Sequence, residues 1–232
     1  KIRADRYLIE ICSYTNRTIN QLNAFNYCNF NAETDFYKIF SVIPAKVVNM
    51  FNNCNIKSKS NTQSNALSNV FTVSVSTTYT SDEYAKFIVF NDCEITATYM
   101  QDIFYQNPYV GEIVAFNRCS LPNLTTLTST FDNIRNVTKY TVFVDTELNN
   151  VAKAEGCFSQ NYSMKDYSFL RNIDFSHVES FKNMFSLNKA LESFNMGDRI
   201  TGRIIKFLVK IYLNNLKYLR GLGFGVWGLG FG

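Results

Sequence analysis

Apolar positions recur along this chain in a short fixed frame. Phe25-Asn26-Tyr27-Cys28-Asn29-Phe30, Phe51-Asn52-Asn53-Cys54-Asn55-Ile56, Phe90-Asn91-Asp92-Cys93-Glu94-Ile95 and Phe116-Asn117-Arg118-Cys119-Ser120-Leu121 share one pattern. Each has Phe, two spacers, Cys, one spacer and a final apolar residue. Looser copies follow in phase: Phe143-x-x-Thr146-x-Leu148, Leu170-x-x-Ile173-x-Phe175 and Leu191-x-x-Phe194-x-Met196. The pattern predicts strands at 25–30, 51–56, 90–95, 116–121, 143–148, 170–175 and 191–196. Their starts are separated by 26, 39, 26, 27, 27 and 21.

A second landmark keeps the same period. Phe40, Phe104, Phe131, Phe158 and Phe185 each follow a strand at a similar distance, and the last four are spaced by 27. An apolar residue sits four before each one: Phe36, Met100, Leu127, Ala154 and Phe181. An i, i+4 pair is one face of a helical turn, so a short helix or 3₁₀ turn is predicted there. The second coil, whose step is 39, is longer than its neighbours. Its polar run from Lys57 to Asn65 reads as a loop insertion before Leu67 and Phe71.

These landmarks predict an α/β solenoid. Coils of about 26–27 residues stack into one parallel sheet, with Phe25, Phe51, Phe90, Phe116, Phe143 and Leu170 forming one buried ladder. The organisation expected is an N-terminal cap at 1–20, the array at 21–198, a capping helix or strand at 199–220 and a Gly-aromatic tail at 221–232.

Each strand frame reads as that of a leucine-rich repeat, with Phe or Cys in place of Leu. The segment Leu170-Arg171-Asn172-Ile173-Asp174-Phe175-Ser176-His177-Val178, continuing to Met184-Phe185, resembles BspA-type leucine-rich repeats. There a strand ending Asp-Phe-Ser, then Val, then Met-Phe, recurs through the array. The likeness is close over 143–198, looser over 19–142 and absent after about residue 200. It implies a bacterial, protist or bacteriophage surface protein. The expected function is non-enzymatic adhesion or binding of a surface protein or glycan, at a cell surface or on a virion. It brings no catalytic residues and no cofactor.

Composition narrows this reading. The chain has 232 residues, 46% hydrophobic, with 21 Phe, 14 Tyr and a net charge of +4. One continuous core fits that length. The mild charge, without a Lys/Arg cluster interleaved with aromatics in the repeats, gives no support for nucleic-acid binding. The 28 Asn residues suggest an AT-rich genome. A single His and the lack of nucleophile, phosphate-loop or zinc motifs leave enzymatic chemistry without its parts. Residues 1–20 have no apolar stretch of the targeting type.

Cys28, Cys54, Cys93 and Cys119 share one interior position and are expected to be reduced, buried and packed as small hydrophobes. Cys12 is assigned to an irregular first strand, and Cys157 precedes a helical-turn Phe.

The positions between the apolar ones line the exposed face of the predicted sheet. Asp92, Glu94, Arg118, Asp145, Glu147, Asn172 and Asp174 are the candidate binding residues there, five of them carboxylates. Neighbours on the same strip are Tyr27, Asn29, Asn53, Asn55, Ser120, Ser193 and Asn195.

The C-terminal region differs in kind. Residues 203–220 are apolar and basic, and the five basic residues argue against a membrane span. Gly-Leu-Gly-Phe-Gly then occurs twice around Val226-Trp227. Leu222, Phe224, Trp227, Leu229 and Phe231 are candidate assembly residues, suited to strand addition on a second chain. Self-association through 203–232 is expected, ahead of contact with a membrane surface. An architectural subunit locked by this tail is the alternative to a binding module.

Overall fold

A computed structural model describes residues 19–30, 36, 45–57, 67–71 and 84–194. Cys12, Phe40, the polar insertion from 58 to 65, Asn195 and the segments 199–220 and 221–232 lie outside the described residues, as does most of the predicted cap.

The described residues form parallel sheets with little helix. A five-stranded sheet runs in the order β1 (Ile19–Ala24), β3 (Ala45–Met50), β5 (Ala85–Val89), β7 (Val110–Ala115) and β8 (Lys139–Val142). A three-stranded sheet joins β2 (Asn29–Phe30), β4 (Asn55–Ile56) and β6 (Glu94–Ile95), and a two-stranded one joins β9 (Asp166–Tyr167) to β10 (Ser193–Phe194). Every pairing is parallel. Gln21 pairs with Val47, Val47 with Lys86, Lys86 with Glu112 and Glu112 with Lys139. The register thus advances by 26, 39, 26 and 27, in step with the tetrads. Among the described residues, the isolated parallel bridges Tyr99–Thr126, Thr126–Lys153 and Lys153–Ser180 form a further series, each advancing by 27.

The long strands precede the Phe-Asn-x-Cys tetrads instead of coinciding with them. The β-branched and alternating runs Lys86-Phe87-Ile88-Val89 and Glu112-Ile113-Val114-Ala115 carry the strand signal, with Phe87, Val89, Ile113 and Ala115 buried. The expected strands at 25–30, 51–56, 90–95 and 116–121 are corrected to a corner followed by a two-residue strand or a single bridge. At 143–148 no strand forms, and at 170–175 a 3₁₀ helix, Ser168–Asn172, takes its place.

The predicted helical turns are also replaced. Residues 102–106, 129–133, 156–160 and 183–187 are successive β-turns. Asp102, Ser129, Gly156 and Asn183 have positive φ, and so do Gln106, Asn133, Gln160 and Leu187. A left-handed residue at every fourth position stops a helix from propagating. The i, i+4 apolar pairing survives because two linked turns also return the chain to the same side.

The core is built of columns. Phe25, Phe51, Phe90, Phe116 and Phe143 stack with ring centroids 5.5, 5.2, 5.4 and 5.6 Å apart. Phe71, Phe104, Phe131, Phe158 and Phe185 form a second column at 5.4, 5.3, 5.1 and 6.1 Å. The two columns meet edge to face, as at Phe104–Phe116. Offset stacks and edge contacts both suit the ring quadrupole, so this lattice favours one packing. Leu170, Ile173 and Phe175 are buried at the far end.

Candidate functional site

Each Phe-Asn-x-Cys tetrad turns the chain from the long sheet to the short one. Phe and the spacer are both left-handed: Phe51 with Asn53, Phe90 with Asp92, Phe116 with Arg118 and Phe143 with Asp145. Such conformations cost a side-chain-bearing residue roughly 1–2 kcal/mol. The corner therefore needs compensation, and its neighbours provide it.

The Asn of the tetrad is the compensating group. The Oδ1 of Asn52 accepts from the backbone N–H and the Nδ2 of Asn91, both at 2.9 Å. The Oδ1 of Asn91 accepts in the same way from Asn117, at 3.1 and 2.8 Å. Each amide then donates onward, from Asn52 to the Ile88 carbonyl, from Asn91 to Val114 and from Asn117 to Thr141. The ladder ends where Val144 replaces Asn and donates its N–H to the Oδ1 of Asn117. Asn52, Asn91 and Asn117 are all buried.

The cysteines form a parallel ladder and are not merely apolar filling. Cys54, Cys93 and Cys119 are buried as expected, whereas Cys28 at the start of the ladder is only half-buried. Cys54, Cys93 and Cys119 donate from Sγ to the carbonyls of Phe25, Phe51 and Phe90, each at 3.0 Å. The N–H of Cys54 donates to the Sγ of Cys93, and that of Cys93 to the Sγ of Cys119, both at 3.4 Å. Thr146 continues the column, its Oγ1 accepting from the Cys119 N–H and donating to the Phe116 carbonyl. All five described cysteines are free thiols. The hydrogen bond shared with Cys119, together with burial, holds the Cys93 thiol up at about 12.

This rigid corner carries the predicted binding residues on its outside. Tyr27, Asn53, Asp92, Arg118 and Asp145 form one exposed row, and Asn29, Glu94, Ser120 and Glu147 lie exposed beside it with Asn55 half-buried. Asn172 is exposed within the 3₁₀ helix, and Asp174 is half-buried. Asp92, Glu94, Arg118, Asp145 and Glu147 are thus brought together along the corner and the short sheet, whereas Asn172 and Asp174 belong to the 3₁₀ helix and the turn after it. The long sheet's outer face holds Asn49, Lys86, Ile88, Glu112, Val114 and Thr141, a set the sequence frame missed. On it Lys86 and Lys139 both reach the Oε1 of Glu112 at 3.1 Å.

Charge along the corner strip is uneven. Arg118 holds Asp92 through two hydrogen bonds of 2.6 and 2.7 Å, and this keeps the Asp92 carboxyl below its ordinary range. Glu94 accepts from Asn55, and Glu147 from Asn149. Asp145 faces Arg118 electrostatically. Asp92, Glu94, Asp145 and Glu147 thus stand against one guanidinium along the strip, with Val144 42% exposed beside Asp145.

Arg135, Tyr162 and Lys189, each 27 residues after the last, form a second surface group, with cations on the Tyr162 ring at 5.7 and 4.7 Å. His177 is exposed. Among the described residues, no group of three or more His, Cys, Asp and Glu is arranged to hold a metal ion. None of the described helices is long and apolar enough to cross a membrane.

The amide ladder was written in the sequence, since Asn follows Phe in all four tetrads. Its meaning depends on the corner geometry, because an Asn inside a strand frame is only a spacer. No family model matches the chain, and comparisons with curated proteins and with solved structures return no match.

Proposed function

We propose that this chain is a leucine-rich-repeat solenoid of the BspA type. It serves as a non-enzymatic binding or adhesion module at a cell surface or on a virion. The observation that carries the reading is the corner strip. Asp92, Glu94, Arg118, Asp145 and Glu147 are all exposed on a backbone fixed beneath them by the amide and thiol ladders. A surface held that rigidly loses little entropy when a partner docks. Support for the solenoid comes from the parallel register, whose steps of 26, 39, 26 and 27 match the spacing of the sequence motifs. The strip's excess of carboxylates favours a partner presenting cationic or hydrogen-bond-donating groups.

The test is a panel of surface proteins and glycans probed with the full chain and with an Asp145→Asn/Glu147→Gln variant. The expected result is a saturable ligand whose affinity falls about tenfold in the variant, the loss of about 1.4 kcal/mol. A Lys139→Gln control on the long sheet should leave it unchanged. A panel with no saturable binder, or a binder indifferent to both substitutions, would remove the reading.

The doubled Gly-Leu-Gly-Phe-Gly sequence favours a second reading, an architectural subunit joined through residues 221–232. Deleting those residues should then abolish self-association in a sizing measurement and leave the fold intact.

A further inference from the structure

Asn107, Asn161 and Asn188 make a second set of buried side-chain amides, donating to the carbonyls of Phe71, Phe131 and Phe158 at 2.8, 3.0 and 2.9 Å. Asn161 is held on every side. Its Oδ1 accepts from the Ile134 N–H, and its own N–H donates to the Oδ1 of Asn188. Its Nδ2 also reaches the hydroxyls of Tyr140 and Tyr167 at 2.9 and 3.2 Å. Both amide hydrogens are therefore used, and the residue is wholly buried.

Asn161-Tyr162-Ser163 is at the same time an acceptor signal for N-linked glycosylation. In that transfer the amide nitrogen attacks the anomeric carbon of an oligosaccharide carried on a polyprenyl diphosphate. An N–C bond forms, the C–O bond to the diphosphate breaks, and the nitrogen loses a proton as the lipid diphosphate leaves. Fold and modification thus compete for one nitrogen. We propose that Asn161 bars this chain from compartments where the transfer occurs, so that the protein is made where no oligosaccharyltransferase acts. The described residues hold two further signals, Asn123-Leu124-Thr125 and Asn136-Val137-Thr138. Asn123 is exposed and can carry a sugar outward, whereas Asn136 is half-buried and donates to the Pro108 carbonyl at 2.7 Å.

Folding cannot shield the site in time. The Asn161 N–H finds its acceptor on Asn188, made 27 residues later, so the signal is passed while its own rung is still open. A sugar there has no outlet. The Nδ2 sits among Phe131, Phe158, Tyr140 and Tyr167, rings that already meet one another at 5.1 to 5.6 Å. A close-packed interior has no place for a group of that size. The signal is also easily erased. Ser163 is fixed through its backbone N–H, which donates to the Arg135 carbonyl at 3.1 Å, so Ala would keep these bonds and remove the acceptor. Its presence fits a chain that never meets the transferase. The five described free thiols point the same way, since an oxidising lumen would reach them before they are buried. A bacterial or bacteriophage setting satisfies this and the eukaryotic secretory route does not, whatever the corner strip binds.

The experiment directs the full chain, behind a cleavable signal peptide, into the secretory pathway of yeast. Thr138→Ala is in place throughout, so that Asn136 is no acceptor. Occupancy is read by mass spectrometry in the secreted and retained pools, after each glycan is trimmed to a single sugar. Expected is Asn123 occupied in both pools and Asn161 occupied only in the retained one. Adding Ser163→Ala should raise secretion several-fold, with Cys93 of the secreted protein protected from alkylation as evidence of folding. In bacterial cytoplasm, where no sugar is added, Ser163→Ala should leave the yield of folded protein unchanged. Folded, secreted protein with a sugar on Asn161 would overturn the proposal. Secretion equal with and without Ser163→Ala would overturn it too, as would a gain in yield of the same size in bacterial cytoplasm.

Discussion

At the scale of single residues, the tetrads assign unusual duties to Asn and Cys. Asn91 accepts two hydrogen bonds from Asn117 and donates to Asn52 and to the Val114 carbonyl. Truncation to Ala strands the buried donors of Asn117 at about 1–3 kcal/mol each. Urea unfolding of Asn91→Ala should therefore show a loss on the order of 3–5 kcal/mol. Asn91→Asp should not rescue it, because a carboxylate cannot donate to Val114. Cys93 leads to the opposite expectation. Reading its position as purely apolar would make Ser costly there, yet Thr146 already places a hydroxyl in that column with both hydrogen bonds made. Cys93→Ser should therefore cost under about 1 kcal/mol, and less than Cys93→Val, which forfeits both bonds. With its thiol held up at about 12, Cys93 should also resist iodoacetamide at pH 8 until the protein unfolds.

At the scale of elements, the columns of Phe are the structural unit. Phe104 is fully buried, stacked between Phe71 and Phe131 and edge-on to Phe116. Phe104→Ala should cost about 3–5 kcal/mol in the same unfolding measurement, and Phe104→Leu appreciably less. This level was the most legible from sequence. The regular recurrence of Phe named most of both columns, although Phe71 rather than a residue at the regular period stacks on Phe104, and most of the described spacers are exposed while Asn55 and Asp174 are half-buried. The local conformations were not legible. A strand frame anchored on Phe hid the left-handed corner, since periodicity reports the facing of side chains and not the sign of φ. The β-turn pairs were mistaken for helix for the same reason: both bring residues i and i+4 to one side. Likewise Asn172 looked like a strand spacer, although it ends a 3₁₀ helix, Ser168–Asn172, whose buried residue is Leu170.

At the scale of the whole molecule, pH acts on carboxylates in two opposing ways. Burial is the chief influence on Asp132 and Asp102 and raises both above their ordinary value, with further repulsion from Asp132 acting on Asp102. The stability such groups give is full below the ordinary carboxyl value of 3.8 and is lost as pH rises through the raised one. Asp132→Asn can still accept from Ser159 and Gln160, so it should stabilise the protein at pH 7 and show little gain near pH 3.5. Asp92 behaves inversely: held low by Arg118, its contribution is present at neutral pH and fades in acid. Comparing Asp132→Asn with the parent across pH isolates the first effect. The amide ladder has a further consequence, for how such a chain can change length over evolutionary time. Its donors and acceptors are the same at each junction, and Phe116 is followed by Asn117 just as Phe90 is followed by Asn91. An in-frame duplication of residues 91–116 would bring its own acceptor for the rung above and its own donor for the rung below. Unequal recombination could then add or delete one Phe-Asn-x-Cys unit without redesigning this ladder, and the number of such units becomes a heritable variable.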